Sequence, residues 1–281
     1  MTPEPTARGP RVALTIAGSD SGGGAGIQAD LATFAALGVH GTSALTAVTV
    51  QDTTGVHGIH AVPLDVVQAQ LACVTSDFAV AAVKTGMLGS VDVVRLVAGL
   101  AAQERLPLLV VDPVAIATSG DRLTGTDALQ AIAAELLPQA TLATPNVEEA
   151  AALLGTAPAT SLAGQHEHAL ALAEKGCAVV VTGGVDGYDR VDVLARDGTT
   201  HELRGPAIAT PNDHGTGCTF AAAATAVLAN GGTVLAAVTA AQQFVRAALH
   251  ASASWRLGHG TGPISHLLPS SPQTLPTEQG A

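Results

Sequence analysis

ALTIAGSDSGGGAGIQADL, the sequence of residues 13–31, joins three different kinds of segment. Residues 12–17 form a short aliphatic run typical of a buried strand, and residues 27–37 have the composition of a helix. The loop from Gly18 to Gly26 has five glycines in nine positions, more than a turn requires, and such a loop lets a ligand approach the backbone closely. A tight turn is the plainer interpretation. A strand, a glycine-rich loop and a helix in this order predict the first unit of an α/β protein.

Strands and helices alternate through the rest of the chain. Strands are predicted at residues 43–50, 79–84, 108–111, 141–144 and 179–182. Helices are predicted at residues 64–75, 91–104, 127–136, 147–154, 166–175, 216–229 and 233–250. Residues 191–195 and 200–203 indicate a hairpin at a sheet edge. The alternation predicts an α/β fold in which helices cover both faces of a mostly parallel sheet, with ligands bound beyond the carboxyl ends of its strands.

The two ends of the chain differ in composition from the rest. Residues 1–10 and 269–281 are rich in Pro, Ser, Thr and Gln, so we expect them to be disordered. Residues 11–268 are predicted to form a single domain. No apolar run reaches the roughly 20 residues that cross a bilayer, and the first residues lack the apolar segment of a secretory signal. We therefore expect a cytoplasmic protein with no membrane partner.

The composition is acidic and poor in lysine. The formal net charge is −11, and the only lysines are Lys84 and Lys175. This charge argues against a nucleic-acid partner, which would need a basic face. If the chain binds nucleotide phosphates, then backbone amides, helix dipoles and a metal ion must supply much of the positive potential. Cys73, Cys177 and Cys218 show no CxxC spacing, so neither a disulfide nor a zinc site is predicted.

A second glycine-containing loop lies directly before an Ala-rich helix. Its sequence is Asp-His-Gly-Thr-Gly-Cys, residues 213–218, and consecutive amides at a helix N-terminus bind anions without a lysine. A thiol in the first helical turn is expected to have a lowered pKa, which would make Cys218 a base or a nucleophile. A helix start with a small buried cysteine explains the spacing equally well. His214 is either a second base or a structural hydrogen-bonding residue.

Oxygen ligands follow two of the predicted strands. Asp112 ends one strand, and Asn146 and Glu149 open the helix after the next, an arrangement that suits Mg²⁺. The alternative is a capped helix in which Asn146 is the N-cap and Glu149 the N3 residue, and both can hold at once. Thr182-Gly183-Gly184 follows a third strand and would pass beneath a phosphate chain or form an ordinary turn.

Together these segments resemble the hydroxymethylpyrimidine/phosphomethylpyrimidine kinase family of thiamin biosynthesis, from about Val12 to Leu267. The pieces that carry the resemblance are ALTIAGSDSGGGAGIQADL (13–31), ALTAVTVQDTTGV (44–56), KTGML (84–88), VVDPV (110–114), TPNVEEA (144–150), HGTGCTF (214–220) and GHGTGP (258–263). The resemblance implies a ribokinase-like three-layer α/β/α fold, ATP and Mg²⁺, and usually a homodimer. It also implies that the protein uses ATP to phosphorylate a small-molecule pyrimidine, 4-amino-5-hydroxymethyl-2-methylpyrimidine, and then its monophosphate.

The same resemblance implies roles for individual residues. Gln51 corresponds to the residue that bonds the aminopyrimidine edge, and Cys218 to the one proposed to activate the hydroxymethyl oxygen. The other positions around the substrate correspond to Asp30, Ala25, Met87 and Val114. The anion hole is formed by amides corresponding to Gly215, Thr216, Gly217 and Cys218. The ATP-binding positions correspond to Asn146, Thr182 and Gly184, and the metal-binding positions to Asp112 and Glu149.

One departure concerns Thr182, where many family members have the lysine of a Lys-Gly-Gly sequence. Its absence removes a phosphate contact, and Thr-Gly-Gly followed by Val-Asp-Val-Leu at residues 191–194 resembles a branch that phosphorylates pyridoxine and pyridoxal. Gln51 favours the pyrimidine, because the pyridoxal-active relatives have Met there and an amide offers a donor and an acceptor together. A pyridoxine/pyridoxal kinase is the alternative. A sugar kinase, which typically has Asp at the position of Cys218, and a non-catalytic vitamin-precursor binding protein are weaker ones.

Overall fold

The computed structural model describes residues 9–115 and 123–267. The tails predicted to be disordered therefore lie outside the described residues, apart from residues 9 and 10. None of the helices in these two ranges combines the length and the apolar character that a bilayer crossing requires.

Within the described residues, nine strands form one sheet. Strands β1 to β9 are Val12–Ser19, His40–Asp52, Gly55–Ala61, Val80–Thr85, Leu109–Val111, Leu142–Ala143, Ala178–Asp186, Asp189–Arg196 and Thr199–Pro206. Their order across the sheet is β3-β2-β1-β4-β5-β6-β7-β8-β9. The neighbours from β2 to β7 pair in parallel, while β3 at one edge and β8 and β9 at the other are antiparallel. The prediction of a mostly parallel sheet is confirmed.

Helices follow the parallel strands. Helices α1 to α8 are Gly26–Ala36, Leu64–Asp77, Val91–Ala102, Thr126–Ala131, Val147–Leu154, Leu162–Ala173, Thr216–Ala229 and Val234–Ser252. Helix α4 continues as a π-helical turn at Ile132–Leu136 and a 3₁₀ turn at Leu137–Gln139. Side chains of Ser90, Ser161 and Thr233 accept N–H groups at the starts of α3, α6 and α8, which satisfies donors that the helices cannot.

The helices cover both faces of the sheet. Helices α1, α7 and α8 pack on one face, and α2 to α6 pack on the other. Val110 contributes to the core beneath α7 and α8, whereas the next residue, Val111, contributes to the opposite core. Because successive side chains of a strand point to opposite faces, a strand covered on both sides is an unbroken aliphatic run. Each fully buried Val or Leu contributes about 1.5–3 kcal/mol to folding.

Strand β3, Gly55–Ala61, has no counterpart in the prediction. It pairs antiparallel with the end of β2 at the sheet edge. Only Gly55 of its seven residues, GVHGIHA, is buried. The hydrophobic alternation that identifies a strand in a sequence is therefore missing from it.

Several elements extend beyond their predicted bounds, among them β2, β8 and β9, and the structure around β7 and α6 is informative. Strand β7 continues to Asp186, past an irregularity between Val181 and Gly184 that interrupts its pairing with β8. Helix α6 begins at Leu162 rather than at residue 166, because the side chain of Ser161 caps it.

Candidate active site

A cavity of about 400 Å³ lies beyond the carboxyl ends of the parallel strands. Its walls come from the loop after β1, the end of β2, the segments after β4 to β7 and the start of α7. The predicted site residues that line it are Ala25, Gln51, Met87, Asp112, Val114, Asn146, Glu149, Thr182, Gly215, Thr216, Gly217 and Cys218. Of the predicted set, Asp30 and Gly184 are absent from its walls.

The N-terminus of α7 forms one wall. Gly215 precedes the helix with a φ of 86°, in the left-handed region that favours glycine. The carbonyl oxygen of Gly24 occupies the space that a Cβ atom at position 215 would need. Because the first N–H groups of a helix lack intrahelical acceptors, the start of α7 suits an anion in the cavity, although the N–H of Thr216 already donates to the carbonyl oxygen of Asp213 at 3.3 Å.

Asp20 organises the glycine-rich loop that faces α7. Its carboxylate accepts hydrogen bonds from the N–H groups of Gly22, Gly24 and Ala25 at 2.7, 3.1 and 2.9 Å. His214 Nε2 donates a fourth at 2.9 Å, which ties this loop to the start of α7. Burial alone would raise the pKa of Asp20, but the hydrogen bonds from His214 and from the backbone outweigh it and hold the pKa below its ordinary value. The structural hydrogen-bonding role considered for His214 is present in the structure.

Lys84 is fully buried beside the cavity and pairs with two carboxylates. Its Nζ lies 2.9 Å from Oδ1 of Asp30 and 3.4 Å from Oδ2 of Asp112. Burial alone would lower the pKa of Lys84, but the negative charges around it, that of Asp30 first, raise the pKa and keep the lysine protonated. Asp30 was predicted among the residues around the substrate. It is completely buried as the partner of Lys84 and Thr15, and has no surface in the cavity.

Cys218 lies at the junction of these groups. It lies close enough to Lys84, Asp112 and Asp30 for their charges to act on its thiol. Burial raises the pKa of Cys218 to about 12; Lys84 opposes this shift, and the carboxylates of Asp112 and Asp30 add to it. The prediction of a lowered pKa is therefore wrong, because burial beside two carboxylates outweighs the effect of the helix N-terminus. The thiol still lines the cavity.

Two buried oxygens at the cavity wall accept no hydrogen bond within the described residues, although one of them also lies 3.4 Å from the ammonium of Lys84. They are Oδ2 of Asp112 and Oγ1 of Thr144, which follow the neighbouring strands β5 and β6. Unpaired buried oxygens are rare in folded proteins, and a hydrated cation or a phosphate would satisfy them. The donor set at this point therefore suits Mg²⁺ and the phosphates that accompany it.

Glu149 belongs to the same wall and to a capping box. Its carboxylate accepts the N–H groups of Ala115 at 3.1 Å and Asn146 at 3.0 Å, while Asn146 Oδ1 accepts the N–H of Glu149 at 2.8 Å. Burial and the charge of Asp112 raise the pKa of Glu149 to about 7. Within the described ranges, no three His, Cys, Asp or Glu side chains gather into a metal site. Mg²⁺ needs only one or two carboxylates besides phosphates and waters, so Asp112 and Glu149 fit it.

The segment Thr182-Gly183-Gly184 borders the cavity at the irregularity within β7. Only Thr182 lines the cavity. Gly183 has a φ of 81°, and its N–H donates to the buried carboxylate of Asp192 at 3.0 Å. Gly184 faces away, because the side-chain amide of Gln165 fills the space above its Cα. The structure therefore does not place Gly184 where the predicted ATP contact would require it.

Gln51 and Met87 line the part of the cavity next to β2. Ser21 Oγ accepts the N–H of Gln51 at 2.9 Å and donates to its carbonyl oxygen at 2.6 Å, which fixes the backbone. The side-chain oxygen of Gln51 accepts a hydrogen bond from Thr49 at 3.2 Å. Met87 is only 7% exposed, and its carbonyl accepts the hydroxyl of Thr46 at 2.6 Å. This part of the cavity thus combines the side-chain amide of Gln51, fixed by Thr49, with the apolar side chain of Met87, which suits a small polar ring.

Sequence reasoning gave no role to Asp20, Lys84 or Thr144. A signal was available for Lys84, since a lysine at the end of a strand of buried residues must have charged partners. For Asp20 and Thr144 nothing local in the sequence indicates the role, because each depends on groups that only the fold brings together.

Comparison with known proteins identifies the family to which the chain is similar. Residues 20–265 match the family described as Phosphomethylpyrimidine kinase. The hydroxymethylpyrimidine/phosphomethylpyrimidine kinase of Haemophilus influenzae is 46% identical over 259 residues, covering 90% of this chain and 95% of that protein. The enzyme of the same name from Streptomyces coelicolor is 45% identical over 257 residues, covering 92% and 94%.

A solved structure extends the comparison to the fold. The pyridoxal kinase of Bacillus subtilis in its ADP complex superposes with a TM-score of 0.84 at 40% identity, covering 92% of this chain and 97% of that one. The prediction of a ribokinase-like three-layer α/β/α fold is confirmed.

Proposed function

Because the chain belongs to the phosphomethylpyrimidine kinase family, we propose that it transfers the γ-phosphoryl group of ATP to the hydroxymethyl group of 4-amino-5-hydroxymethyl-2-methylpyrimidine. The chain is a phosphotransferase of thiamin biosynthesis, in line with relatives that it matches over nine-tenths of its length. One observation carries the choice of reaction. The start of α7, the buried carboxylate of Asp112 and the side-chain amide of Gln51 all face one cavity.

Phosphoryl transfer depends mainly on positioning and on stabilising charge. The amides from Gly215 to Cys218 would hold the oxygens of the migrating group at the start of α7. Bound Mg²⁺, held by Asp112 and Glu149, would neutralise part of the phosphate charge. The hydroxymethyl oxygen attacks the γ-phosphorus in line, the bond to the β-phosphate oxygen breaks, and ADP leaves.

Cys218 is the candidate acceptor of the hydroxyl proton. Its sulfur lines the cavity beside the amides that would hold the phosphoryl group, and this position supports the role. With a pKa of about 12, the resting group at neutral pH is the thiol. The thiol must therefore release its own proton as it receives the new one. The carboxylate of Asp112 lies close enough to act on the thiol electrostatically, and burial raises the pKa of Asp112, so this carboxylate is the neighbouring acceptor.

Gln51 supports the choice of an aminopyrimidine. Its amide has a donor and an acceptor side by side, matching the amino group and the ring nitrogen of the substrate. Met87, Val114 and Ala25 line the same cavity and would pack around the ring. Phosphorylation of the monophosphate as well would require the start of α7 to accommodate an existing phosphate next to ATP.

A pyridoxal kinase is the second candidate. The observation in its favour is the likeness to the Bacillus subtilis pyridoxal kinase, at 40% identity over nearly the whole chain. The same cavity would have to bind a pyridine ring, whose edge lacks the amino group that Gln51 would recognise. We also propose that the protein works in the cytoplasm and as a homodimer, as the family resemblance implies.

The decisive experiment is a coupled kinase assay with ATP and Mg²⁺. We expect a higher kcat/KM for the aminopyrimidine alcohol than for pyridoxine. Pyridoxine turnover with only background activity on the pyrimidine would overturn the substrate assignment. Calorimetry completes the test, since binding of the pyrimidine without any binding of ATP and Mg²⁺ would identify a non-catalytic binding protein instead.

A further inference from the structure

The charge of the cavity walls opposes nucleotide binding. The described residues that line it include four acidic side chains and no lysine or arginine. Lys84 lies beside the cavity, but its ammonium is shared between Asp30 and Asp112. A triphosphate in this cavity therefore needs a cation from just outside the lining, besides the start of α7 and a metal ion.

Arg190 is placed to supply that cation. It lies on β8 opposite Val185 of β7, and its side chain is exposed. Its Nη1 donates to the carbonyl oxygen of Gly183 at 3.3 Å. This hydrogen bond holds the guanidinium next to Thr182, which lines the cavity. A guanidinium has five N–H donors, so this one hydrogen bond leaves others for a ligand.

Arg190 also lies on the same face of the sheet as α7. Residues two apart in a strand share a face, so Arg190 is on the side of Asp192. The carboxylate of Asp192 accepts a hydrogen bond from Gln242 of α8 at 2.9 Å, and α8 packs against α7. The anion-binding start of α7 and the guanidinium of Arg190 are therefore on one side of the sheet, at the end where the cavity opens.

The buried carboxylate of Asp192 does not cancel this positive charge. It accepts hydrogen bonds from Gly183 N–H and from Gln242, and the positive charges of both Arg246 and Arg190 act on it. Two arginines around one carboxylate leave a surplus of at least one positive charge. Arg246 donates to the carbonyl oxygen of Pro206, further along β9, so Arg190 is the nearer of the two to Thr182.

We propose that Arg190 binds the nucleotide phosphates at the Thr182 side of the cavity, an inference that rests on the proposed kinase function. The guanidinium would offer a charge-assisted hydrogen bond to a phosphate oxygen, the kind of contact for which arginine is well suited. Asp192 positions Gly183, and Gly183 in turn positions the arginine. The acidic cavity thereby obtains a cation next to Thr182, the residue of β7 that lines it.

Calorimetry with ADP and Mg²⁺ tests this directly on the intact protein. Arg190→Gln is expected to weaken ADP binding about tenfold and to reduce its dependence on salt concentration, whereas Arg190→Lys keeps part of the affinity. Arg204→Gln is the matched control. Arg204 is an exposed arginine on the adjacent strand β9, paired with Asp186 and Glu202, and its variant should bind ADP like the unaltered protein.

A variant that restores a positive charge shows whether a loss of ADP affinity comes from the missing charge or from a disturbed fold. Thr182→Lys added to Arg190→Gln puts an ammonium at the cavity wall and should restore most of the lost affinity. In steady-state kinetics, Arg190→Gln should raise the KM for ATP and leave the KM for the pyrimidine unchanged. ADP affinity of Arg190→Gln within twofold of the Arg204→Gln control, or no recovery with Thr182→Lys, would refute the inference. Absence of pyrimidine turnover by the unaltered protein would refute only the proposed reaction, because ADP binding is measured independently.

Discussion

Lys84 and Asp30 form an ion pair with no exposed side-chain surface, in which Nζ lies 2.9 Å from Oδ1. The carboxylate of Asp112, which lines the cavity, is 3.4 Å from the same ammonium. One lysine therefore holds two buried carboxylates that would otherwise repel each other beside Cys218. The cavity wall that contains Asp112 therefore depends on a positive charge that has no exposed surface.

Replacing Lys84 by Met is expected to destabilise the protein by about 3–5 kcal/mol, because two buried carboxylates then lose their shared partner. The measurement is the free energy of unfolding in urea. Lys175→Met, at the only other lysine of the chain, is the control and should change stability by less than about 0.5 kcal/mol. Adding Asp30→Leu to Lys84→Met removes one of the orphaned charges and should recover part of the loss. An equal loss in the Lys84 and Lys175 variants would contradict the importance of the pair.

Glu149 makes stability depend on pH, because its pKa is raised from 4.5 to about 7 in the folded protein. The fold favours the protonated carboxyl, so the contribution of Glu149 is fully present below pH 4.5 and is lost as the pH rises to about 7. At about 1.4 kcal/mol per pKa unit, the total is about 3 kcal/mol.

The prediction concerns a difference between two proteins without Mg²⁺. As the pH rises from 5 to 8, the unfolding free energy of the unaltered protein should fall by about 2 kcal/mol relative to that of Glu149→Gln. Glu148→Gln removes the same formal charge from an exposed neighbour and serves as the control for long-range electrostatics. A constant difference across this range would show that Glu149 keeps an ordinary pKa.

The sequence was sufficient to predict the parallel part of the sheet. Runs such as Leu109–Val111 are aliphatic throughout because helices cover both faces, and each ends at polar or glycine residues that mark the edge of the sheet. Strand β3 could not be predicted in this way. It lies at an edge and is mostly exposed, so its pairing with β2 does not require apolar residues at alternate positions.

The same distinction holds for the cavity. Twelve of the predicted residues line it, because strand ends and helix starts are visible in the sequence and converge in this kind of fold. The roles of Asp20 and Asp30 were not visible. Asp20 bonds His214 across 194 positions, and Asp30 meets Lys84 across 54. The direction of the Cys218 pKa was also wrong, because the local rule for a helix start omits the carboxylates that folding brings close.

Gln51→Met tests how the ring is recognised. Loss of the amide should lower kcat/KM for the aminopyrimidine alcohol by about 10–100-fold, since the amino group then lacks a partner in the cavity. The fall for pyridoxine should be smaller. A pyrimidine alcohol without the amino group provides the matched substrate, and the variant should lose little of its activity on that compound. Equal losses on all three substrates would mean that Gln51 shapes the cavity but does not recognise the amino group of the ring.

Cys218 is proposed either to accept the hydroxyl proton or only to orient the hydroxyl, and a pair of variants distinguishes the two roles. A proton acceptor contributes about 10²–10⁴-fold to a rate, so Cys218→Ala should lower kcat by at least about 100-fold and leave ADP affinity unchanged. Cys218→Ser keeps a group that orients the hydroxyl of the substrate but is a poorer acid than a thiol. If proton transfer matters, the serine variant should therefore be nearly as slow as the alanine variant. A serine variant with most of the original kcat would show that residue 218 orients the hydroxyl only. An alanine variant with unchanged kcat would leave the hydroxyl proton to Asp112, whose charge already raises the pKa of the thiol.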